Sequence, residues 1–237
     1  MIQIEGAISI KAAIESKQRK VEILYIDETK KTKDVGYILW LAKENHVQVK
    51  RLSKEALLDF NPLKTFGGIL AQVSERFYQS VEDILDARFV VLIEGVEDPF
   101  NLGQMIRSAY ASGAEAILLN QRDWSKVESI LLKSSAGAFD RIHIVLLNDL
   151  AAELKQLKEC GFKLVSALRN ENSISMDDLN YPDKSILAIG GEMRGLSKAV
   201  KDASDIAVEI KYPNAAKVAL SASSACAILC FKHVSKL

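Results

Sequence analysis

Cysteine is scarce in this chain. Cys160, Cys226 and Cys230 are an odd set with no Cys-x-x-Cys pair, so neither a disulfide framework nor a zinc site is expected. Charge of one sign is also missing: 31 Lys and Arg face 31 Asp and Glu, for a net charge of zero. That balance argues against a protein gripping nucleic acid through one large uniform field. No long hydrophobic run occurs either. The longest apolar stretch, 218–231, is rich in small residues and falls short of the ~20 residues that span a bilayer. The first residues, MIQIEGAISIKAAIESK, lack the basic start and apolar stretch of a secretion signal, and a cytoplasmic protein is expected.

The 237 residues contain 49% hydrophobic and 26% charged side chains, the proportions of an ordinary globular protein of one large or two modest domains. The charge is unevenly distributed. Residues 1–78 hold 13 Lys or Arg against 10 Asp or Glu, with local clusters at Lys17-Gln18-Arg19-Lys20, Lys30-Lys31-Thr32-Lys33 and Lys50-Arg51. Such clusters serve either an RNA-binding surface or a solvated face.

The hydrophobic pattern predicts two α/β regions. In the first, 7–16 has helical spacing, 21–26 is a short apolar strand, 37–44 is amphipathic, 47–49 is strand-like and 66–73 is a glycine-led strand. A polar connector is expected at 79–88, giving domains 1–78 and 89–237. The second region opens with Phe89-Val90-Val91-Leu92-Ile93, a β-branched apolar run suited to a strand buried on both faces of a parallel sheet. Helices are predicted at 102–112, 150–159 and 217–233, and strands at 116–119, 142–146, 162–167, 186–189 and 206–210. Alternating strands and helices imply a mostly parallel sheet that binds ligands beyond its carboxyl ends.

Three segments fall where such a sheet keeps its chemistry. Asp98-Pro99-Phe100-Asn101-Leu102-Gly103, followed by Arg107, joins the first buried strand to a helix, with Asn101 as the expected N-cap. Arg107 lies about 9 Å further along the axis, and its side chain leans back towards the helix start. Gly190-Gly191-Glu192-Met193-Arg194-Gly195-Leu196 follows another apolar strand, and paired glycines allow positive φ or close backbone approach. It is neither a dinucleotide fingerprint nor a P-loop. Ile210-Lys211-Tyr212-Pro213 precedes the small-residue stretch Ala219-Leu220-Ser221-Ala222-Ser223. Taken singly, each segment also fits a cap, a tight turn or helix packing.

In their order and spacing, these segments resemble the SpoU branch of the SPOUT superfamily of RNA 2′-O-ribose methyltransferases. Asp98-Pro99-x-Asn101-x-Gly103-x-x-x-Arg107-x-Ala109 is similar to the family's first motif, Gly190-x-Glu192-x-x-Gly195-Leu196 to its second, and Ile210 onward to its third. The resemblance spans about 89–237, and 1–78 resembles the ribosomal-protein-like RNA-binding domain often attached to this family. Three departures stand out. Ala219-Leu220-Ser221 replaces the usual Ser-Leu-Asn, Lys211 and Tyr212 separate Ile210 from Pro213, and Phe66-Gly67-Gly68 replaces the usual His-Gln-Gly.

The resemblance implies a SPOUT-type α/β sheet with a carboxyl-terminal trefoil knot, preceded by a small α/β RNA-binding domain. It implies S-adenosylmethionine as methyl donor, with Leu168, Gly190, Ile210 and Leu220 around it, and no metal. It also implies a homodimer acting on structured RNA, with ribosomal RNA preferred because of the extra amino-terminal domain. Arg107 is the implied catalytic residue, with Asn101 positioning the loop near it and Glu192 holding the pocket or the RNA. Because a guanidinium is a poor base at neutral pH, an arginine there suits orientation and charge stabilisation better than proton removal. His46, His143 and His233 fall outside the motifs and are expected to be structural or surface residues. The competing expectation is an RNA-binding or ribosome-associated protein that keeps the fold without methyl transfer, motivated by Ala219 and Ser221. An unrelated α/β nucleotide-binding enzyme would be expected to carry a phosphate loop.

Overall fold

A computed structural model describes residues 1–60, 67–213 and 219–234. The chain forms two compact units, Met1–Phe77 with Asp123–Arg141, and Tyr78–Arg122 with Ile142–Leu237.

The first unit runs β1 (Ile2–Glu5), α1 (Ala7–Ser16), β2 (Val21–Asp27), α2 (Lys33–Glu44), β3 (Gln48–Leu52), α3 (Lys54–Phe60) and β4 (Ile69–Val73). Its sheet has the order β1-β4-β2-β3, with β4 antiparallel to both neighbours and β2 parallel to β3. The amphipathic segment expected at 37–44 is the later part of α2. That helix starts earlier because the Thr32 side chain accepts a hydrogen bond from the Val35 amide at 3.3 Å. Of the expected strand at 66–73, Phe66 lies outside the described residues. Gly67 and Gly68 sit at φ 62° and 76°, so the chain turns there and β4 begins at Ile69.

The second unit begins with β5 (Phe89–Glu94), α4 (Pro99–Ala111) and β6 (Ala116–Asn120). The chain then joins the first unit for α5 (Glu128–Ser134) and α6 (Ala138–Arg141). It returns through β7 (His143–Leu147), α7 (Leu150–Glu159), β8 (Lys163–Ala167), β9 (Ile174–Ser175), β10 (Ser185–Gly190), α8 (Lys198–Ala203), β11 (Ile206–Glu209) and α9 (Ala222–Val234). Of the helix expected at 217–233, residues 217 and 218 lie outside the described residues, and 219–221 precede the helix, which begins only at Ala222. Residues 79–88, read as a connector, are tied to the second unit: the Gln79 amide donates to the Ile144 carbonyl at 2.9 Å, and Val81 and Ile84 are buried.

The sequence reading assigns 123–141 to the second domain, whereas by packing it lies with the first. Arg19 is the reason. Its Nε and Nη2 each donate to Asp140 at 2.8 Å, and Nη1 donates to Glu128 at 2.7 Å, all with fully buried side chains. Burial alone would lower the pKa of Arg19, but the two adjacent carboxylates outweigh it and raise the value. Arg76 adds a bond from Nε to the Phe139 carbonyl at 3.0 Å. Gly137 allows α6 to approach α1 closely, since a Cβ there would lie 2.7 Å from Ala12 Cβ.

Seven parallel strands in the order β7-β6-β5-β10-β8-β11-β9 make the larger sheet. Every residue of β5 is buried, as expected for a central parallel strand. From β5 the chain builds outwards through β6 and β7, while the later strands fill the other side. The order therefore reverses between β5 and β10, and that switch point is where open α/β sheets leave a crevice at their carboxyl ends. Helix α9 is anchored on this sheet. His233 stacks on Phe89 at 3.9 Å, and the Tyr181 hydroxyl donates to the Leu229 carbonyl at 3.0 Å.

Candidate active site

Helix α4 begins two residues before the expected cap. Asp98, not Asn101, is the N-cap: its carboxylate accepts from the Asn101 amide at 2.7 Å, and Pro99 occupies the first turn. Proline is favoured there because its fixed φ suits the helix and its missing N–H would have no intrahelical partner. Asn101 therefore sits inside the first turn, with its side chain left for the crevice.

The glycine pair of the second motif works by close approach rather than by positive φ. A Cβ on Gly190 would lie 2.3 Å from the Gly195 carbonyl carbon, and one on Gly191 would lie 2.2 Å from the Gly95 oxygen. Positive φ occurs instead at Gly95 (70°) and Gly195 (63°), which turn the two loops. The loops are bonded together. The Gly191 amide donates to the Glu94 carbonyl at 2.7 Å, the Gly195 amide to the Gly191 carbonyl at 2.9 Å, and the Ser197 amide to the buried Glu94 carboxylate at 2.8 Å. The sequence reading gave Glu94 no role. Its signal is a carboxylate ending an otherwise apolar buried strand.

A cavity of about 350 Å³ lies on these loops, lined in part by Gly95, Asp98, Asn101, Glu192 and Arg194. Glu192 also accepts from the Ala222 amide at 3.3 Å, tying the second motif to the start of α9. The third motif is organised locally: the Leu220 amide donates to the Tyr212 hydroxyl at 3.2 Å, and the Ser221 hydroxyl accepts from the Ser224 amide at 3.2 Å. Ser221 thus caps α9, a task in which serine and asparagine are nearly equivalent.

The predicted residues fall into two groups. Asn101 and Glu192 share the cavity. Gly190, Leu168 and Ile210 stand at or just beyond the carboxyl ends of the adjacent strands β10, β8 and β11, a row roughly 10 Å wide at ~4.8 Å per strand. The Leu168 amide holds β11 by donating to the Val208 carbonyl at 3.0 Å. Leu220 is 39% exposed. Arg107 is exposed on α4, outside the lining of the cavity, and has no ion pair or hydrogen bond among the described residues. No group of three or more His, Cys, Asp or Glu positioned for a metal occurs among the described residues.

Comparison with known proteins decides the family. The SpoU rRNA Methylase family matches residues 88–231. The chain belongs to this family. Residues 3–79 match the family described as RNA 2′-O ribose methyltransferase substrate binding. Among its relatives, a putative TrmH family tRNA/rRNA methyltransferase of Staphylococcus epidermidis is 30% identical over 243 residues, covering 99% of this chain and 96% of that protein. A similarly named protein of Bacillus subtilis, YacO, is also 30% identical, over 246 residues and the same shares of each chain. Among solved structures, an AdoMet-bound rRNA methyltransferase from Sinorhizobium meliloti superposes with a TM-score of 0.80 at 19% identity, covering 100% of this chain and 87% of that one. The SpoU methyltransferase AviRb from Streptomyces viridochromogenes, solved with AdoMet, gives 0.79 at 22%, covering 99% and 89%. The α/β architecture with its seven-stranded parallel sheet is thus that of SPOUT methyltransferases.

Proposed function

We propose that this SpoU protein transfers a methyl group from S-adenosylmethionine to a ribose 2′-hydroxyl of structured RNA, with ribosomal RNA as the target. In this reading it acts as a cytoplasmic homodimer, and a carboxyl-terminal trefoil knot encloses the cofactor. The observation that carries the reading is the meeting of the first two motif loops over the β5–β10 switch point, with the apolar strand ends at Leu168 and Ile210 beside it. The local fit is favourable. Loop backbone and apolar strand ends offer polar and flat apolar surface for an adenosine. The Ser221 cap keeps α9 in place despite the departure from the usual asparagine, which favours the enzyme over a scaffold that has lost methyl transfer.

S-adenosylmethionine, when bound, supplies an electrophilic methyl on a sulfonium. Gly190, Ile210 and Leu220 would hold its adenosine end through backbone groups and apolar surface. Glu192 and Asn101 keep the two loops in register. Arg107 orients the ribose and stabilises charge on its 2′-oxygen while the hydroxyl proton passes to a phosphate oxygen of the RNA or to water, for which an exposed guanidinium is suited. Residues 1–78 recruit the RNA.

The test incubates the protein with S-adenosylmethionine and ribosomal RNA and maps positions that become resistant to alkaline cleavage, since a methylated 2′-oxygen cannot attack the adjacent phosphate. Discrete resistant positions are expected. RNA binding with no methyl incorporation would establish the scaffold reading instead.

A further inference from the structure

Helix α2 carries a stacked aromatic pair on its exposed face. Trp40 is 53% exposed and Tyr37 41%, and their rings stack at 5.6 Å with 25° between planes. Tyr37 is held from several sides. Its hydroxyl donates to Glu15 at 3.0 Å, Glu15 in turn pairs with Arg141, and the Lys11 ammonium lies 5.0 Å from the Tyr37 ring centre. The buried face of the same helix is complete without this pair, being formed by Val35, Ile38, Leu41 and Ala42.

Two features of α2 are unfavourable to the helix alone. Gly36 occupies an exposed interior position one turn before Trp40, and a Cβ there would meet nothing within 4 Å. Glycine weakens a helix interior relative to alanine, and no contact in the unit requires it. It leaves an open notch in the surface beside the aromatic pair. Lys30, Lys31 and Lys33 crowd the helix start, where the backbone dipole disfavours cations, with Asp34 as the acidic residue of the first turn. A polyanion passing that end would relieve the conflict. Lys43 and Glu44 balance each other at the far end, so the surplus of positive charge lies at the helix start. Lys33 and Trp40 stand seven residues apart, about 10 Å along the axis, within reach of one short strand.

We propose that Trp40 and Tyr37, with the notch at Gly36, form a platform on which an unpaired base of the substrate RNA stacks while its backbone passes Lys30, Lys31 and Lys33. The proposal rests on the RNA-directed reading above and adds to it a single-stranded element as the feature recognised by the amino-terminal unit. Stacking on an exposed aromatic pair is sequence-tolerant, so specificity comes from where the RNA is unpaired. Tyr37, fixed by Glu15 and Lys11, gives Trp40 a rigid backing.

The test measures binding of labelled decaadenylate to the full chain by fluorescence anisotropy, beside a ten-base-pair RNA duplex. Decaadenylate is expected to bind more tightly than the duplex. Trp40→Leu should weaken it about 5- to 150-fold, and Trp40→Phe should retain most of the affinity. Gly36→Leu should also weaken it, although leucine favours the helix, so a purely structural role predicts the opposite sign. Lys33→Gln should reduce the salt slope by about 0.7. Parental affinity in both Trp40→Leu and Gly36→Leu, or no binding of decaadenylate by the parental chain, overturns the proposal. So does unchanged affinity with a dimer turned to monomer in sedimentation, which would make the patch a self-interface. Calorimetry with S-adenosylmethionine on the same proteins separates the two readings. Retained cofactor binding confines a failure to the platform, whereas no binding in the parental chain removes the methyltransferase assignment.

Discussion

At the scale of single residues, Arg107 and Gly190 carry the account. Arg107 is exposed and has no partner among the described residues. Arg107→Ala should therefore leave the fold and cofactor affinity nearly intact while slowing single-turnover methyl transfer about 10²–10³-fold, or roughly 2.7–4 kcal/mol. Arg107→Lys should not restore the full rate, because an ammonium cannot reproduce the two-pronged contact of a guanidinium. Near-parental turnover in the alanine variant would remove Arg107 from the mechanism. Gly190 behaves differently, since its space is filled by the Gly195–Leu196 backbone. Gly190→Ala should cost about 1–3 kcal/mol in urea unfolding through overpacking and should weaken cofactor binding. Unchanged stability would mean that the loop yields without strain. The glycine pair was legible in the sequence as a place of positive φ or close approach, and the structure uses the second. The partner of Gly191 was not, because Gly95 is distant in sequence and only the pairing of β5 with β10 brings the two together.

The elements divide into those with local signals and those without. Strands β5, β6 and β10 were legible because each is a continuous apolar run. The start of α4 was displaced because Asp98 and Asn101 are both good caps, and the adjoining Pro99 decides for Asp98. Helices α5 and α6 gave no sign of their allegiance, since the residues that bind them to Arg19 are 109 and 121 positions away. A buried charge set of this kind fixes position more than it adds stability, but removing one partner leaves charges uncompensated. Arg19→Met takes the shared guanidinium away from two buried carboxylates, leaving Asp140 with Arg76 at 3.7 Å, and should destabilise the first unit by about 3–5 kcal/mol in urea unfolding. A loss under 1 kcal/mol would mean that Asp140 and Glu128 reach water or take up protons instead.

For the whole molecule, the same contacts change how the units are best separated. Deleting 1–78 would strip α5 and α6 of β1, α1 and Arg19, so a truncated chain tests folding and RNA binding together. Substitutions in the full chain keep the two questions apart. The three motifs were legible in sequence as a family signature, and the sheet order explains why the first two belong together: β5 and β10 are neighbours in space across 90 residues of chain. Which RNA the protein modifies has no counterpart in a strand pattern, because it depends on surfaces rather than on the core. The most direct measurement compares ribose methylation across ribosomal RNA from cells with and without the protein, with Arg107→Ala supplied as a third arm. One or a few 2′-O-methyl positions should vanish without the protein, return with the parental chain and fail to return fully with Arg107→Ala. Identical ribose methylation maps in all three would contradict the assignment of this chain as a ribosomal RNA ribose methyltransferase.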